Sequence, residues 1–197
     1  MDSGGGIALD KWNRLIMLAS GSSLASLLTP DARYGANAGL GFFVFDSSGT
    51  IAYASGMPDE EMHYPIGLRT DRDGNAYVIG HIHSQPVSIT SNALFPTYMG
   101  HQDGMLLKFD AIDHRLLYSS LLGTAEDDWI ESFAIDGCGG VGYANVRYDS
   151  SMWMQDSLRR GWYRFDIGRI SADGTRFLFR QSFDGGSVRP GLDVSSI

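Results

Sequence analysis

One pattern occurs three times along this chain, and that repetition limits the fold more than any other feature. GIALDKWNRLIMLASG begins at Gly6, GLRTDRDGNAYVIG at Gly67 and SFAIDGCGGVGYANV at Ser132. Asp10, Asp71 and Asp136 mark the same point in each, 61 and 65 residues apart. The middle copy reads as a hairpin: an apolar strand start at Ile66 and Leu68, a turn over Asp73, Gly74 and Asn75, and a β-rich return through Tyr77, Val78 and Ile79. Asp-Gly is a strong hairpin signal because glycine accepts the positive φ that such turns require. Repetition at this period marks solenoids and propellers, so it is read before any local motif.

Each copy continues through a polar loop into a second hairpin: Gly41 to Ser55, Asp103 to Ser120 and Phe165 to Gln181. The three share one form. An apolar strand ends in a polar turn (Asp46 to Gly49, Asp110 to His114, Ser171 to Gly174), and the return strand carries an aromatic residue at a matching place: Tyr53, Tyr118 and Phe179. Two hairpins make four antiparallel strands in about 60 residues, longer than a leucine-rich or ankyrin unit and suited to one propeller blade. The expected fold is all-β: three four-stranded antiparallel blades, at about 4–58, 63–123 and 130–187, forming an open segment of a larger β-propeller.

The loops extend the match. In the first two copies an alanine (Ala32, Ala93) precedes a tyrosine (Tyr34, Tyr98), and glycines lead into the next strand. The third loop, RYDSSMWMQDSLRRGWYR, keeps the length but brings in Trp153, Arg159, Arg160, Trp162 and Tyr163. Taken together, GLRTDRDGNAYVIG, the loop through Ala93 and Tyr98, DGMLLKFD and LLYSSLLGTAEDD resemble the bacterial β-propeller repeats known as SBBP repeats. The second copy matches through its whole length. The first departs at Asn13, in the place of the turn glycine, and at Val44, in the place of the lysine; the third departs at Gly142 and Arg169. The resemblance implies a propeller of a bacterial secreted or cell-surface protein, and it implies no catalytic residues and no cofactor.

Composition agrees with many short strands joined by glycine turns: Gly 25 against Pro 6, 12% aromatic and 19% charged. A net charge of −8 disfavours a nucleic-acid backbone or an anionic membrane surface as partner. Cys138, the single cysteine, excludes an intramolecular disulfide and a cysteine-rich zinc site. The opening MDSGGGIALD has neither the basic start nor the apolar run of a signal peptide, and no stretch is apolar for the 18 or so residues of a membrane helix. The first and last residues fall at nearly the same phase of the repeat, which reads as an interior piece of a longer propeller or a truncated fragment. The run Leu15 to Leu18 reads as a strand buried on both faces. Open blade faces of that kind drive self-association, and two copies closing a six-bladed ring is one outcome.

Candidate sites stand beside simpler readings. Asp71, Asp73 and Asn75 resemble the start of a calcium loop, but the downstream Glu is missing and turn chemistry accounts for the same residues. His81 and His83 fall on one face of an extended strand with His101 in the following loop; surface histidines explain them without a metal. Cys138 is read as a turn residue, and the clusters Asp59 to Glu61 and Glu126 to Asp128 as solvated loops between blades. The third loop is the chemically distinctive place. Trp153, Arg159, Arg160, Trp162 and Tyr163 could stack on a sugar or anchor a protein partner, since Trp, Tyr and Arg dominate binding hot spots. The expected function is a non-enzymatic binding or scaffold module. The alternative is part of a lyase- or glycosidase-type propeller enzyme, because fold does not settle function.

Overall fold

The computed structural model describes residues 6–21, 23–35, 40–58, 62, 64–86, 88–148 and 163–184. Among these described residues twelve strands form three four-stranded antiparallel sheets, each in plain chain order. Blade 1 holds β1 (Ile7–Leu9), β2 (Leu15–Ser20), β3 (Leu40–Phe45) and β4 (Ile51–Gly56). Blade 2 holds β5 (Tyr64–Thr70), β6 (Ala76–Ile82), β7 (Asp103–Phe109) and β8 (Leu116–Leu122). Blade 3 holds β9 (Asp127–Ile135), β10 (Val141–Tyr148), β11 (Tyr163–Ile170) and β12 (Phe177–Asp184). The all-β, three-blade expectation holds, and the three blades do not close a ring. Among the described residues the only helical element is a 3-10 turn, Leu24–Leu27, and no helix is long and apolar enough to cross a membrane.

One turn is built four times. At Asp10, Asp46, Asp71 and Asp136 the aspartate N–H donates to the carbonyl four residues on, and its own carbonyl accepts from the N–H three residues on. The carboxylate Oδ1 takes the N–H groups of the second and fourth following residues, at 2.8–3.0 Å. This is why aspartate leads the turn: its short side chain satisfies backbone donors that a tight hairpin leaves free. The third following residue has positive φ each time: Asn13, Gly49, Gly74 and Gly139. Asn13 in place of the turn glycine is therefore no disruption, because asparagine tolerates the left-handed region.

Irregularities recur at fixed places too. A bulge lies in the third–fourth strand pairing of every blade, after Val44, Lys108 and Arg169, and the residues opposite these are Tyr53, Tyr118 and Phe179. The first strands of blades 2 and 3 bulge at Ile66 and Glu131, each five residues before the turn aspartate. Ile66 is consequently turned outward and exposed, whereas Leu68 is buried.

The blades pack face to face, with β5 beside both β1 and β9. Between blades 1 and 2 the core is Ile16, Leu18, Phe42, Val44 and Tyr53 against Leu68, Val78, Met105, Leu107 and Phe109. Between blades 2 and 3 it is Tyr77, Ile79, Leu106, Tyr118 and Leu122 against Ile130, Phe133, Val141, Tyr143 and Ile170. Blade 2 faces a neighbour on both sides, so β6 is buried along its whole length and reads as a nearly unbroken apolar run. In β2 burial alternates: Ile16 and Leu18 are buried, Leu15 and Met17 only partly so. The Leu15 to Leu18 run is thus covered fully on the side of blade 2 alone. Each fully buried large apolar side chain at these junctions stabilises by about 1.5–3 kcal/mol.

The loops joining second and third strands lie along the outer strand. Thr29 and Thr90 exchange side-chain and backbone hydrogen bonds with Ala54 and Ser119, and the N–H groups of Tyr34 and Phe95 donate to Ser55 and Ser120 at 2.9 Å. Such loops cover sheet edges that would otherwise pair with other chains. They also correct the alignment read from sequence. Ala32 does correspond to Ala93, but the counterpart of Tyr34 is Phe95, not Tyr98.

Candidate functional site

The most unusual chemistry in the described residues is a polar seam where blade 3 meets blade 2. In blade 3 the face turned to blade 2 holds Arg147, Asp166 and Arg180 where the register of blade 2 has Ile82, Met105 and Ser119. Asp128 Oδ2 accepts from the N–H of Thr124 at 2.6 Å and from its hydroxyl at 2.9 Å, while Oδ1 accepts from Asn145 Nδ2 at 2.5 Å. Asp166 is completely buried among Arg147 at 3.0 Å, Arg180 at 2.7 Å and the Ser182 hydroxyl at 2.6 Å. Arg147 and Arg164 both reach Glu126, at 3.2 and 2.9 Å. The register explains the gathering: Asn145 stands opposite Asp166 and Arg147 opposite Asp128, so the side chains share one face.

Across the seam blade 2 contributes His81, and Asp103 opens β7 on the face that it shares with Met105; both are buried. His81 Nε2 accepts the Ile130 N–H at 2.9 Å, and its ring meets Trp129 edge-on at 5.2 Å. Burial pushes this imidazole down to about 4, so it is neutral at ordinary pH and serves as an acceptor. Asp103 Oδ2 accepts from the Met99 N–H at 2.8 Å, and Oδ1 has no hydrogen-bond partner. A Cβ on Gly123 would lie 2.3 Å from that oxygen, so only glycine fits beside it.

Environment separates the carboxylates. Burial, with the charges of Asp128 and Asp127 adding to it, pushes Asp103 up to about 7. Burial also raises Asp128, to about 6, against the hydrogen bonds from Asn145 and Thr124. Burial works the same way on Asp166 but is outweighed by Ser182, Arg180 and Arg147, so that carboxyl is held below its usual range. Two of these acids thus titrate near neutrality, Asp103 beside the seam and Asp128 within it, and Asp166 is firmly ionised.

The residues singled out from sequence fall elsewhere. Trp153, Arg159, Arg160 and Trp162 lie outside the described residues; Tyr163 opens β11, opposite Tyr148 in β10. His81 is not a surface histidine, His101 is exposed in the loop before β7, and among the described residues no group of three His, Cys, Asp or Glu side chains could hold a metal. Asp71 is committed to its turn, with Oδ1 on Asp73 and Asn75 and Oδ2 on Asn75 Nδ2 and the Tyr77 hydroxyl. Cys138 is an exposed turn residue. Asp59 to Glu61 lie outside the described residues, and the reading of Glu126 to Asp128 as solvated loop is wrong for Asp128, which is completely buried. Sequence carried a signal for the seam: Arg147, Asp166 and Arg180 sit inside strands at core-facing parity, where charge is kept only if paired. No family model matches the chain, and no curated protein matches it.

Proposed function

We propose that this chain is a non-enzymatic propeller module built from SBBP-like repeats, a rigid scaffold that offers a loop to a glycan or protein partner. One observation carries this reading. The loops of blades 1 and 2 are fastened to Ala54 and Ser55 and to Ser119 and Ser120, whereas blade 3 has Arg180 and Gln181 at the same register positions. The serine hydroxyl that accepts a loop N–H in blades 1 and 2 is replaced by Gln181 in blade 3, and the third loop carries Trp153, Arg159, Arg160 and Trp162. A loop that departs from the repeat in this way, rich in Trp and Arg, suits binding. The test is a glycan array, followed by titration calorimetry on any hit, with wild type and a Trp153→Ala/Trp162→Ala variant. Binding that is lost in the variant at an unchanged melting temperature supports the proposal; binding that survives in the variant refutes the assignment to this loop.

A second reading is favoured by Asp103 and Asp128. Their carboxyl groups are pushed up to about 7 and about 6, the range for general acid catalysis near neutral pH as in a glycosidase or lyase, but both are completely buried, so this reading requires a movement that opens them to substrate. Turnover of chromogenic glycosides or uronides that is abolished by Asp103→Asn would favour it over the scaffold.

A further inference from the structure

The two outer faces of the three-blade stack are unlike in position but match each other as neighbouring blades do. On the side facing the next blade, Phe42, Tyr53 and Met57 of blade 1 are 3%, 4% and 4% exposed. The register puts Leu106, Tyr118 and Leu122 of blade 2 at the same places, 0%, 4% and 2% exposed. In blade 3 those places hold Ile167, Phe179 and Phe183, which are 39%, 51% and 43% exposed. The apolar face is thus continued on the outer side of blade 3, where among the described residues no strand covers it.

At the other end, blade 1 turns Met17, Phe43, Phe45 and Ile51 away from blade 2. Their register counterparts Val78, Leu107, Phe109 and Leu116 are the residues with which blade 2 receives blade 1. The 3-10 turn closes Leu24 over Phe43 and Ala54 and leaves an apolar groove of about 250 Å³ beside Met17, Phe45 and Ile51.

The existing junctions show how such faces meet. The Tyr53 ring lies 4.3 Å from that of His114, and Tyr118 packs against Gly174; both receivers are positive-φ residues in the turn between third and fourth strands. A cation from the earlier blade also reaches the second residue of that turn: Arg14 donates to the Ala111 carbonyl at 2.8 Å, and Lys108 to the Ala172 carbonyl at 3.5 Å. Blade 1 has the receiving half of this set unused. Gly49 is its positive-φ residue, and a Cβ there would meet nothing within 4 Å. Blade 3 has the donating half, with exposed Phe179 and with Arg169 at the register position of Lys108. Arg169 is cationic, and the blade 1 turn it would approach begins with the exposed acid Asp46.

We propose that the free face of blade 3 docks onto the free face of blade 1 in a second copy of this chain, so that two copies close a six-bladed ring head to tail. Phe179 of one copy rests on Gly49 of the other, Ile167 on Phe45, and Arg169 reaches the Ser47 carbonyl; the second junction repeats the first. Four strands about 4.8 Å apart, each about seven residues at about 3.3 Å, give a face of roughly 400 Å². Allowing for the part under the 3-10 turn, two junctions bury roughly 1,200–1,600 Å², the range of a specific interface. The contact is heterologous, so it closes only if the rotation per copy is half a turn.

The experiment is light scattering of the full chain at 10–100 µM, and oxidation of a Phe179→Cys/Ser48→Cys variant in a Cys138→Ser background. The expected mass is twice 21.5 kDa, with a covalent dimer after oxidation that neither single cysteine variant forms. Phe179→Glu, whose site is already half exposed, is expected to give a monomer with an unchanged circular dichroism spectrum. A wild-type monomer, an open-ended series of higher masses, or a dimer that Phe179→Cys alone cross-links would each overturn the proposal. None of these readings depends on what the third loop binds.

Discussion

Replacing Asp103 by asparagine is expected to stabilise the protein above neutral pH and to destabilise it in acid. The carboxyl is completely buried, one oxygen accepts the Met99 N–H at 2.8 Å, and the other has no partner. Its folded-state pKa is raised from 3.8 to about 7. A raised carboxyl pKa favours the folded state below the unfolded value and costs stability as pH climbs through the folded one. Wild-type stability therefore falls between about pH 4 and pH 7. Three pKa units at 1.36 kcal/mol each make that loss about 4 kcal/mol. Asparagine keeps the acceptor for Met99 and carries no charge, but it places an unpaired N–H₂ beside Gly123, at about 1–2 kcal/mol. The net expectation at pH 8 is a gain of about 2–3 kcal/mol, which for this length is roughly 5–10 °C in melting temperature. At pH 4.5 the acid is neutral and only the unpaired donor remains, so the variant should melt slightly below wild type. Thermal melts from pH 4.5 to 8.5 decide it. Asp128, raised to about 6, titrates in the same direction, so some slope survives in the variant. An Asp103→Asn protein that melts below wild type at pH 8, or a wild-type curve flat between pH 5 and 8, would refute the reasoning.

Three further outcomes follow from the junctions and turns. Tyr77→Phe removes a hydroxyl that lies 3.0 Å from Asp71 Oδ2 and 3.1 Å from the Gly139 carbonyl, with one proton between two acceptors; chemical denaturation should show a loss of about 1–2 kcal/mol. Asp166→Ala leaves Arg147 and Arg180 without their shared carboxylate in the seam, at a cost of about 3–5 kcal/mol in the same assay; full stability in that variant would mean that Asp166 does not stabilise the seam and that Glu126, which Arg147 also meets, is enough. Gly74→Ala and Gly49→Ala both force a left-handed alanine, at about 1–2 kcal/mol. Only Gly74 also meets Trp12, at 3.1 Å, so its variant should melt at the lower temperature of the two.

What was legible in the sequence is what local chemistry dictates. An aspartate with a residue that tolerates positive φ three places on makes one turn at Asp10, Asp71 and Asp136, which mark the blades in the sequence, and the matched aromatics Tyr53, Tyr118 and Phe179 do stand opposite equivalent residues beside equivalent bulges. The failures came where a side chain's surroundings lie on another blade. His81 looks like a surface residue because its strand ends in polar neighbours, yet the Ile130 N–H that holds it is 49 positions away. Tyr34 was matched to Tyr98 by residue type, whereas the loop is aligned by its hydrogen bonds to Ser55, which equate it with Phe95. Asp128 was grouped with its acidic neighbours as loop, although a strand alternates and places Asp127 and Asp128 on opposite faces.

The seam also bears on why the blades stack in chain order. Three sheets of similar pattern could in principle pack in the wrong sequence, since apolar faces discriminate weakly among partners of similar size. The core of the junction of blades 1 and 2 is apolar, with polar contacts confined to its turns and edges, such as Arg14 on the Ala111 carbonyl and Arg33 on Asp113. The face that blade 3 turns to blade 2 is different: it presents Asp128, Asn145, Asp166, Arg147 and Arg180, and an Ile130 N–H whose acceptor is His81. Blade 1 has Ser20 at the register position of His81. Placed against blade 3, it would bury that N–H without its imidazole acceptor and set a greasy face against charge, and one such orphaned donor alone costs about 1–3 kcal/mol. Buried polar groups add little net stability, but they penalise the wrong neighbour heavily. The same logic requires that the face blade 1 leaves open be apolar, and its described core-facing residues Met17, Phe43, Phe45 and Ile51 are.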